Sequence, residues 1–299
     1  MKTNLIYLLI IITSCTYNKT SKTNIENVEN HKSIDAIKTE NVIFKSEGVK
    51  LSGTIYSPKY PHSAVVIVHG SDRVPRMRKL AEFLAKHNIS VLTYDKRGVG
   101  ESGGVYAGPE VGTNNISIDN LNLLAKDANA AVKLLHKKNK DLSIGLLGAS
   151  QAGWIMPIVA NNNSLIEFMV LFSCPTITTL EQLRFQFYTN GRVDFWENHS
   201  EKEAREHIKN DPDRYQFKAT DPKEYLKDIS VPALWLFGEK DIQIPVKMCI
   251  EQLNNLKLKN KPFEYVLFPS LGHNTNKIKP LNISINWIKN RCLRTVYVK

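Results

Sequence analysis

Ser150 stands in the run Leu142-Ser-Ile-Gly-Leu-Leu-Gly148-Ala149-Ser150-Gln151-Ala152-Gly153-Trp154. A largely apolar stretch gives way to small residues on both sides of a serine, and a helix-like segment reaching Asn161 follows. A strand, a sharp turn and a helix with serine at the apex form a nucleophile elbow. The small residues answer a steric demand, because strand and helix converge there and a Cβ at position 148 or a bulky side chain at Ala152 would collide. Pro157 inside the helix removes one backbone donor and predicts a kink. Taken alone, the stretch reads equally as a buried strand ending in a small-residue turn. A serine hydroxyl is a poor nucleophile at neutral pH and needs a base within hydrogen-bond reach. His273, in Pro269-Ser-Leu-Gly272-His273-Asn274, is the candidate base. Asp241, in Gly238-Glu239-Lys240-Asp241, is the candidate to orient it, with Glu239 as the rival carboxylate.

The elements that must hold these residues can be read from periodicity. Val42 to Tyr56 alternates around Gly48 and predicts a hairpin. Ala64 to Val68 is a continuous apolar run ending in His69-Gly70-Ser71, as for a strand buried on both faces. Met77, Leu80, Phe83 and Leu84 fall at helical spacing, with Asn88 as a stop. Ile89 to Tyr94 predicts the next strand and closes in Asp95-Lys96-Arg97-Gly98-Val99-Gly100-Glu101-Ser102. Leu121, Leu124, Ala128, Ala131 and Leu135 mark one face of a second helix. Further strands are expected at Leu142 to Leu147, Glu167 to Phe172, Ala233 to Phe237 and Phe263 to Phe268. Strands alternating with helices call for an α/β fold, a mostly parallel central sheet with helices on both faces. Its active site belongs at the carboxyl ends of the strands.

With those landmarks in order, the chain from Asn41 to the carboxyl terminus resembles the α/β-hydrolase superfamily. They are His69-Gly70, the Asp95-x-Arg97-Gly98-x-Gly100-x-Ser102 loop, Gly148-x-Ser150, Gly238-Glu239-Lys240-Asp241 and Gly272-His273. The Ser-Gln-Ala-Gly-Trp form of the elbow is similar to that of exported bacterial carboxylesterases, and a dehalogenase or epoxide hydrolase would need Asp where Ser150 stands. The resemblance implies a Ser150, Asp241, His273 triad in the chain order this fold uses. It places the acid at the fourth position of its turn, which favours Asp241 over Glu239. It also assigns the two oxyanion donors to the backbone N–H groups of Ser71 and Gln151. His69 is expected to brace its loop. Asp95 and Arg97 are expected to act as a salt-bridged brace of a glycine-rich turn more than as substrate ligands.

Composition sets the setting. The chain has 299 residues, 42% hydrophobic and 23% charged, ordinary values for a globular protein with a sizeable core. Its net charge of +11 comes from Lys and Arg scattered along the chain, with no basic run interleaved with aromatics. A nucleic-acid partner is therefore not expected. Met1-Lys2 followed by the apolar Leu5 to Ile12 reads as a signal segment too short to span a bilayer as a helix. It ends in Ile12-Thr13-Ser14-Cys15, which resembles the lipobox of bacterial lipoproteins. That resemblance implies residues 1–14 as a cleaved leader, Cys15 as the lipidated residue and a membrane-anchored protein of the bacterial cell envelope, facing periplasm or exterior. Residues 15–40 are polar and read as a tether. Cys174, Cys249 and Cys292 suit no zinc site. Export would permit a disulfide, with Cys249 and Cys292 as the best-placed pair, but free buried thiols are the first expectation.

Residues 176–228 lack strand alternation and carry many aromatics amid charged helix-forming stretches, which predicts a small helical lid. Its aromatics are expected either to pack the lid onto the core or to touch substrate. The functional expectation is a serine hydrolase that cleaves a small-molecule carboxylic ester through an acyl-enzyme, with no metal or organic cofactor. Peptidase or thioesterase chemistry on the same scaffold is the alternative, and Glu197, Glu201 and Glu203 are the carboxylates that could hold a peptide amine. A non-catalytic binding lipoprotein stands as the reading from another class.

Overall fold

Glu47 and Gly48 take φ values of 47° and 74°, the pair of positive φ angles that a two-residue primed turn requires. They join β1 (Lys38–Ser46) to β2 (Val49–Ser57) in an antiparallel hairpin. The computed structural model describes residues 37–108, 116–211 and 218–296. The leader at 1–14, Cys15 and the tether as far as residue 36 lie outside them. The tether ends sooner than its polarity suggested, because Lys38, Thr39 and Glu40 pair with Ser57, Tyr56 and Ile55. An edge strand with one solvated side carries such polar residues without penalty.

Parallel strands and their helices follow in the predicted order. They are β3 (Ser63–Val68), α1 (Arg78–Ala85), β4 (Ile89–Tyr94), α2 (Ile118–Lys138), β5 (Ile144–Ala149), α3 (Ala152–Asn162), β6 (Ile166–Phe172) and, after an insertion, β7 (Ala233–Gly238). The insertion holds α4 (Thr179–Thr189), α5 (Phe195–Asn198), α6 (Glu201–Asn210) and α7 (Lys223–Leu226); α8 (Val246–Lys257), β8 (Phe263–Phe268) and α9 (Ile278–Val296) complete the chain. The eight strands form one sheet in the order β1-β2-β4-β3-β5-β6-β7-β8. Every pairing from β4 to β8 is parallel, and β2 alone runs against its neighbours. This is the expected mostly parallel α/β sheet.

Alternation explains how one sheet fills two cores. In β3, Ala64, Val66 and Val68 face a layer with α2, α3 and α8, while Val65 and Ile67 face α1 and α9. In β7, Ala233, Trp235 and Phe237 divide from Leu234 and Leu236 in the same way. Both sets are buried, so these strands read as continuous apolar runs instead of alternating ones. The same division settles the cysteines. Cys174 and Cys249 lie in the first layer and Cys292 in the second, so the sheet separates the pair that the sequence favoured for a disulfide. All three are free. The elbow strand also shifts, running from Ile144 to Ala149 instead of Leu142 to Leu147, because Leu142 belongs to the turn after α2.

The loop after β4 is braced by ion pairs. Arg97 Nε donates to Asp127 Oδ2 at 2.9 Å, its Nη2 donates to the other carboxylate oxygen, and the side chains are 6% and 1% exposed. Burial pushes the Asp127 carboxyl up, and the Arg97 guanidinium opposes that shift. Breaking one half of such a pair strands a buried charge. Arg97→Met should therefore lower the unfolding free energy by roughly 3–5 kcal/mol in a urea titration, and adding Asp127→Leu should restore most of it.

Candidate active site

Ser150 occupies the turn between β5 and α3 with φ of 55°, a left-handed conformation that a non-glycine residue adopts only when its surroundings impose it. The N–H of Ser150 donates to the Phe172 carbonyl at the end of β6, and its own carbonyl accepts from Gly153. Crowding does the rest. A Cβ on Gly148 would lie 2.5 Å from the Ala152 Cβ, 2.8 Å from Met156 Sδ and 2.9 Å from the Val68 carbonyl. Pro157 sits inside α3 as expected, where it cannot donate to the Gly153 carbonyl. Gly70 approaches from the next strand: a Cβ there would be 3.6 Å from the Ser150 Cβ and 3.3 Å from the Ala149 carbonyl. The β3 turn and the elbow are thus in contact.

Asp241 lies in the turn after β7 with its side chain wholly buried. Its Oδ1 accepts from the N–H groups of Gln243 at 2.7 Å and Ile244 at 3.0 Å, and its Oδ2 is 2.8 Å from His273 Nδ1. Both oxygens are engaged, so the carboxylate is fixed in direction as well as position. The rival Glu239 is exposed in the same turn. His273 follows β8, and its side chain is 19% exposed. Its loop is pinned from two sides. The Thr275 hydroxyl donates to the Leu236 carbonyl and accepts from Ser173, at 3.2 and 2.9 Å. Gly238 lets the loop pass, since a Cβ there would be 2.1 Å from the Gly272 carbonyl oxygen. Ser150, Asp241 and His273 therefore sit at the carboxyl ends of β5, β7 and β8, at one edge of the sheet.

Three other sequence-predicted residues find places around this edge. His69 is 3% exposed with its ring edge-on to Tyr94 at 4.8 Å, and burial, then the charge of Lys96, push its pKa down to about 3. A histidine held neutral that firmly does not trade protons near neutral pH. Asp95 receives Arg76 through the backbone N–H at 2.7 Å, Nε at 3.0 Å and Nη2 at 2.7 Å. It also accepts from Glu101 N–H, and Gly100 leaves room for it. Arg76 also reaches Glu101 and Ser52. Asp95 and Arg97 are braces, as the sequence suggested. The sequence reading missed Arg76 and Lys96. Arg76 carried no periodic signal, and Lys96 was absorbed into the glycine-turn motif.

The helical insertion supports the acid. Phe185, Phe195, Ala204 and Ile208 form its own small core. From it Trp196 Nε1 donates to the Asp241 carbonyl at 2.8 Å, Thr189 Oγ1 to Ile242 at 2.7 Å and Gln182 Nε2 to Gln243 at 3.0 Å. The aromatics thus pack the insertion onto the acid turn. Glu203 is held by the Ser200 N–H and hydroxyl in a capping box, and Glu201 is paired with Arg205. A cleft of about 360 Å³ beside Trp196 and Glu201 is lined by Glu239, Lys240 and Pro269 and includes none of the three candidate catalytic residues. Among the described residues no group of His, Cys, Asp or Glu is arranged to hold a metal ion, and no helix is long and apolar enough to cross a membrane.

Known proteins share this architecture. An esterase of Pyrococcus furiosus superposes with a TM-score of 0.62 at 23% identity, over 85% of this chain and 91% of that one. An acylaminoacyl peptidase of Pyrococcus horikoshii gives 0.61 at 14% identity, over 86% of this chain and 41% of that one. The α/β hydrolase GrgF of Penicillium gives 0.55 at 18% identity, over 85% and 98%. These likenesses show the α/β-hydrolase fold. No curated protein matches the sequence. A family match covers residues 59–276, from before the His69-Gly70 turn to just past His273. The chain belongs to the Hydrolase_4 family, described as serine aminopeptidase, S33.

Proposed function

We propose that this hydrolase cleaves carboxylic esters through an acyl-enzyme on Ser150, with His273 as base and Asp241 as its partner. The observation that carries the reading is the 2.8 Å contact between His273 Nδ1 and a buried Asp241 whose other oxygen is held by two backbone amides, at the same end of the sheet as a serine held in left-handed backbone. With Nδ1–H donated to Asp241, Nε2 keeps its lone pair for the Ser150 hydroxyl proton. Ser150 Oγ then bonds to the ester carbonyl carbon, and the N–H groups of Ser71 and Gln151 receive the oxyanion. His273 returns the proton to the departing alcohol, and a water repeats the sequence to release the acid.

The peptidase reading has specific support in the family description and in the Pyrococcus horikoshii neighbour. Ester cleavage is preferred on two grounds. The Pyrococcus furiosus esterase is matched over most of its length. Two of the three carboxylates that could hold a peptide amine, Glu201 and Glu203, are already engaged within the insertion. A panel of p-nitrophenyl esters, aminoacyl aryl-amides and acyl-CoAs decides between them. The ester reading requires the highest kcat/KM on an ester, and a higher value on an aryl-amide or thioester would replace it.

Two outcomes follow from this reading, and a third tests the separate proposal of a lipid anchor. Ser150→Ala should abolish turnover and labelling by a fluorophosphonate while leaving the urea transition nearly unchanged, and normal labelling would sink the nucleophile assignment. Asp241→Asn should keep the fold and lower kcat by roughly 10⁴-fold. The amide oxygen would stay on the Gln243 and Ile244 N–H groups, so its NH₂ would face His273 Nδ1 and force the proton onto Nε2. The third concerns the envelope anchor, which rests on the lipobox-like residues before Cys15. The native amino-terminal peptide should begin at a diacylglyceryl-modified Cys15, and a mass showing an unmodified thiol there would refute the anchor.

A further inference from the structure

Between its two ion-paired neighbours, Lys96 has a different kind of partner. It is 3% exposed, and its Nζ donates to the carbonyls of Gly70 at 2.8 Å and Ser71 at 3.2 Å and to Gln151 Oε1 at 3.2 Å. None of these oxygens belongs to a carboxylate, although a buried ammonium is usually held by one. The Tyr106 ring lies 5.3 Å from Nζ, and the Tyr106 hydroxyl donates to the same Ser71 carbonyl at 2.7 Å.

Those partners are the two residues assigned above to the oxyanion hole and the glycine between His69 and Ser71. The Gly70 C=O and the Ser71 N–H are opposite ends of one trans peptide unit. A cation on the oxygen fixes the plane of that unit and draws electron density toward the oxygen, which strengthens the N–H at the other end as a donor. Gln151 supplies the second N–H, and its side chain ends on the same ammonium. We infer that Lys96 is a positioning residue of the oxyanion hole, its ammonium locking the Gly70–Ser71 peptide and the Gln151 side chain so that both N–H groups meet the forming oxyanion. This rests on the reading of Ser150, Ser71 and Gln151 given above.

The ammonium is poised to titrate. Burial pushes Lys96 down from 10.5 to about 8, against the opposing charge of Asp72. The other groups facing it leave that direction intact. His69 is neutral, Asp95 on its own loop is engaged by Arg76, and Arg73 lies across the Tyr106 ring at 5.8 Å. Its charge, and with it the rate, should therefore fall as pH rises through about 8. The fold should not fall with it. A lysine whose folded value lies below its unfolded one binds fewer protons when folded over that interval, so its own contribution to stability increases between about pH 8 and 10.5.

The test measures kcat and KM for a p-nitrophenyl ester from pH 6.5 to 9.5, for wild type and Lys96→Met, per site titrated by a fluorophosphonate. Wild type should lose kcat above about pH 8 with its circular dichroism unchanged. Lys96→Met should lose about 10- to 100-fold in kcat at pH 7, less than the roughly 10² to 10³ for removing an oxyanion donor itself, with KM within about twofold and no alkaline fall. A brace alone would lower the number of titratable sites and the melting temperature, but not kcat per site. A variant rate within twofold of wild type, or an alkaline fall that persists in Lys96→Met, overturns the role of Lys96. Should Lys96→Met not fold, the wild-type profile decides, and a rate flat from pH 7.5 to 9.5 overturns it. Activity retained by Ser150→Ala would overturn the underlying catalytic reading instead, whatever Lys96→Met does.

Discussion

The want of space where β5 gives way to α3 governs the rest of the molecule. Gly148, Ala152 and Met156 fill the gap between strand and helix so fully that one extra carbon at position 148 has nowhere to go. The chain can turn there only by placing Ser150 in left-handed backbone. Its energy comes from the layers on either side, since a strained φ persists only where packing over-determines it. The apolar rows of β3, β5 and β7 supply that packing on both faces. The sheet is thus both scaffold and clamp.

Around the elbow, the loops at the carboxyl edge are held by one another as well as by helices. The Ser173 hydroxyl joins Thr275, Lys96 joins Gly70 to Gln151, and Arg76 ties Asp95 to Ser52. Each bond crosses between segments distant in sequence. Such a rim is preorganised, because its dipoles and charges are already oriented before a substrate arrives. Lys240 and Leu271 are joined through the backbone across the β7 and β8 turns, so Asp241 and His273 are carried by one hydrogen-bonded unit.

Most of this order was legible in the sequence, for identifiable reasons. Strands buried on both faces leave unbroken apolar runs, and β4 was bounded correctly from Ile89 to Tyr94. The glycines at 48, 70, 148 and 238 mark places where backbone must bend or pass close, and such marks are local. What escaped depends on contacts between distant residues. Arg76 looks like any basic residue ahead of a helix, yet it fills the space beside Asp95. The opposite faces holding Cys249 and Cys292 follow from the side of the sheet on which α8 and α9 cross, which periodicity within either helix does not encode. Lys38 to Glu40 look like tether because their polarity suits solvent, and an edge strand suits solvent as well. The role of the insertion's aromatics was open for the same reason, since Trp196 meets Asp241 only in the folded chain.

That last contact has a mechanical meaning. An insertion that merely roofed a cleft could shift as a unit without disturbing the turns beneath it. Here Trp196, Thr189 and Gln182 grip three successive carbonyls of the turn that holds Asp241. The insertion and the turn that carries Asp241 are therefore one mechanical piece. A change in the packing of one would be transmitted to the other through those three bonds.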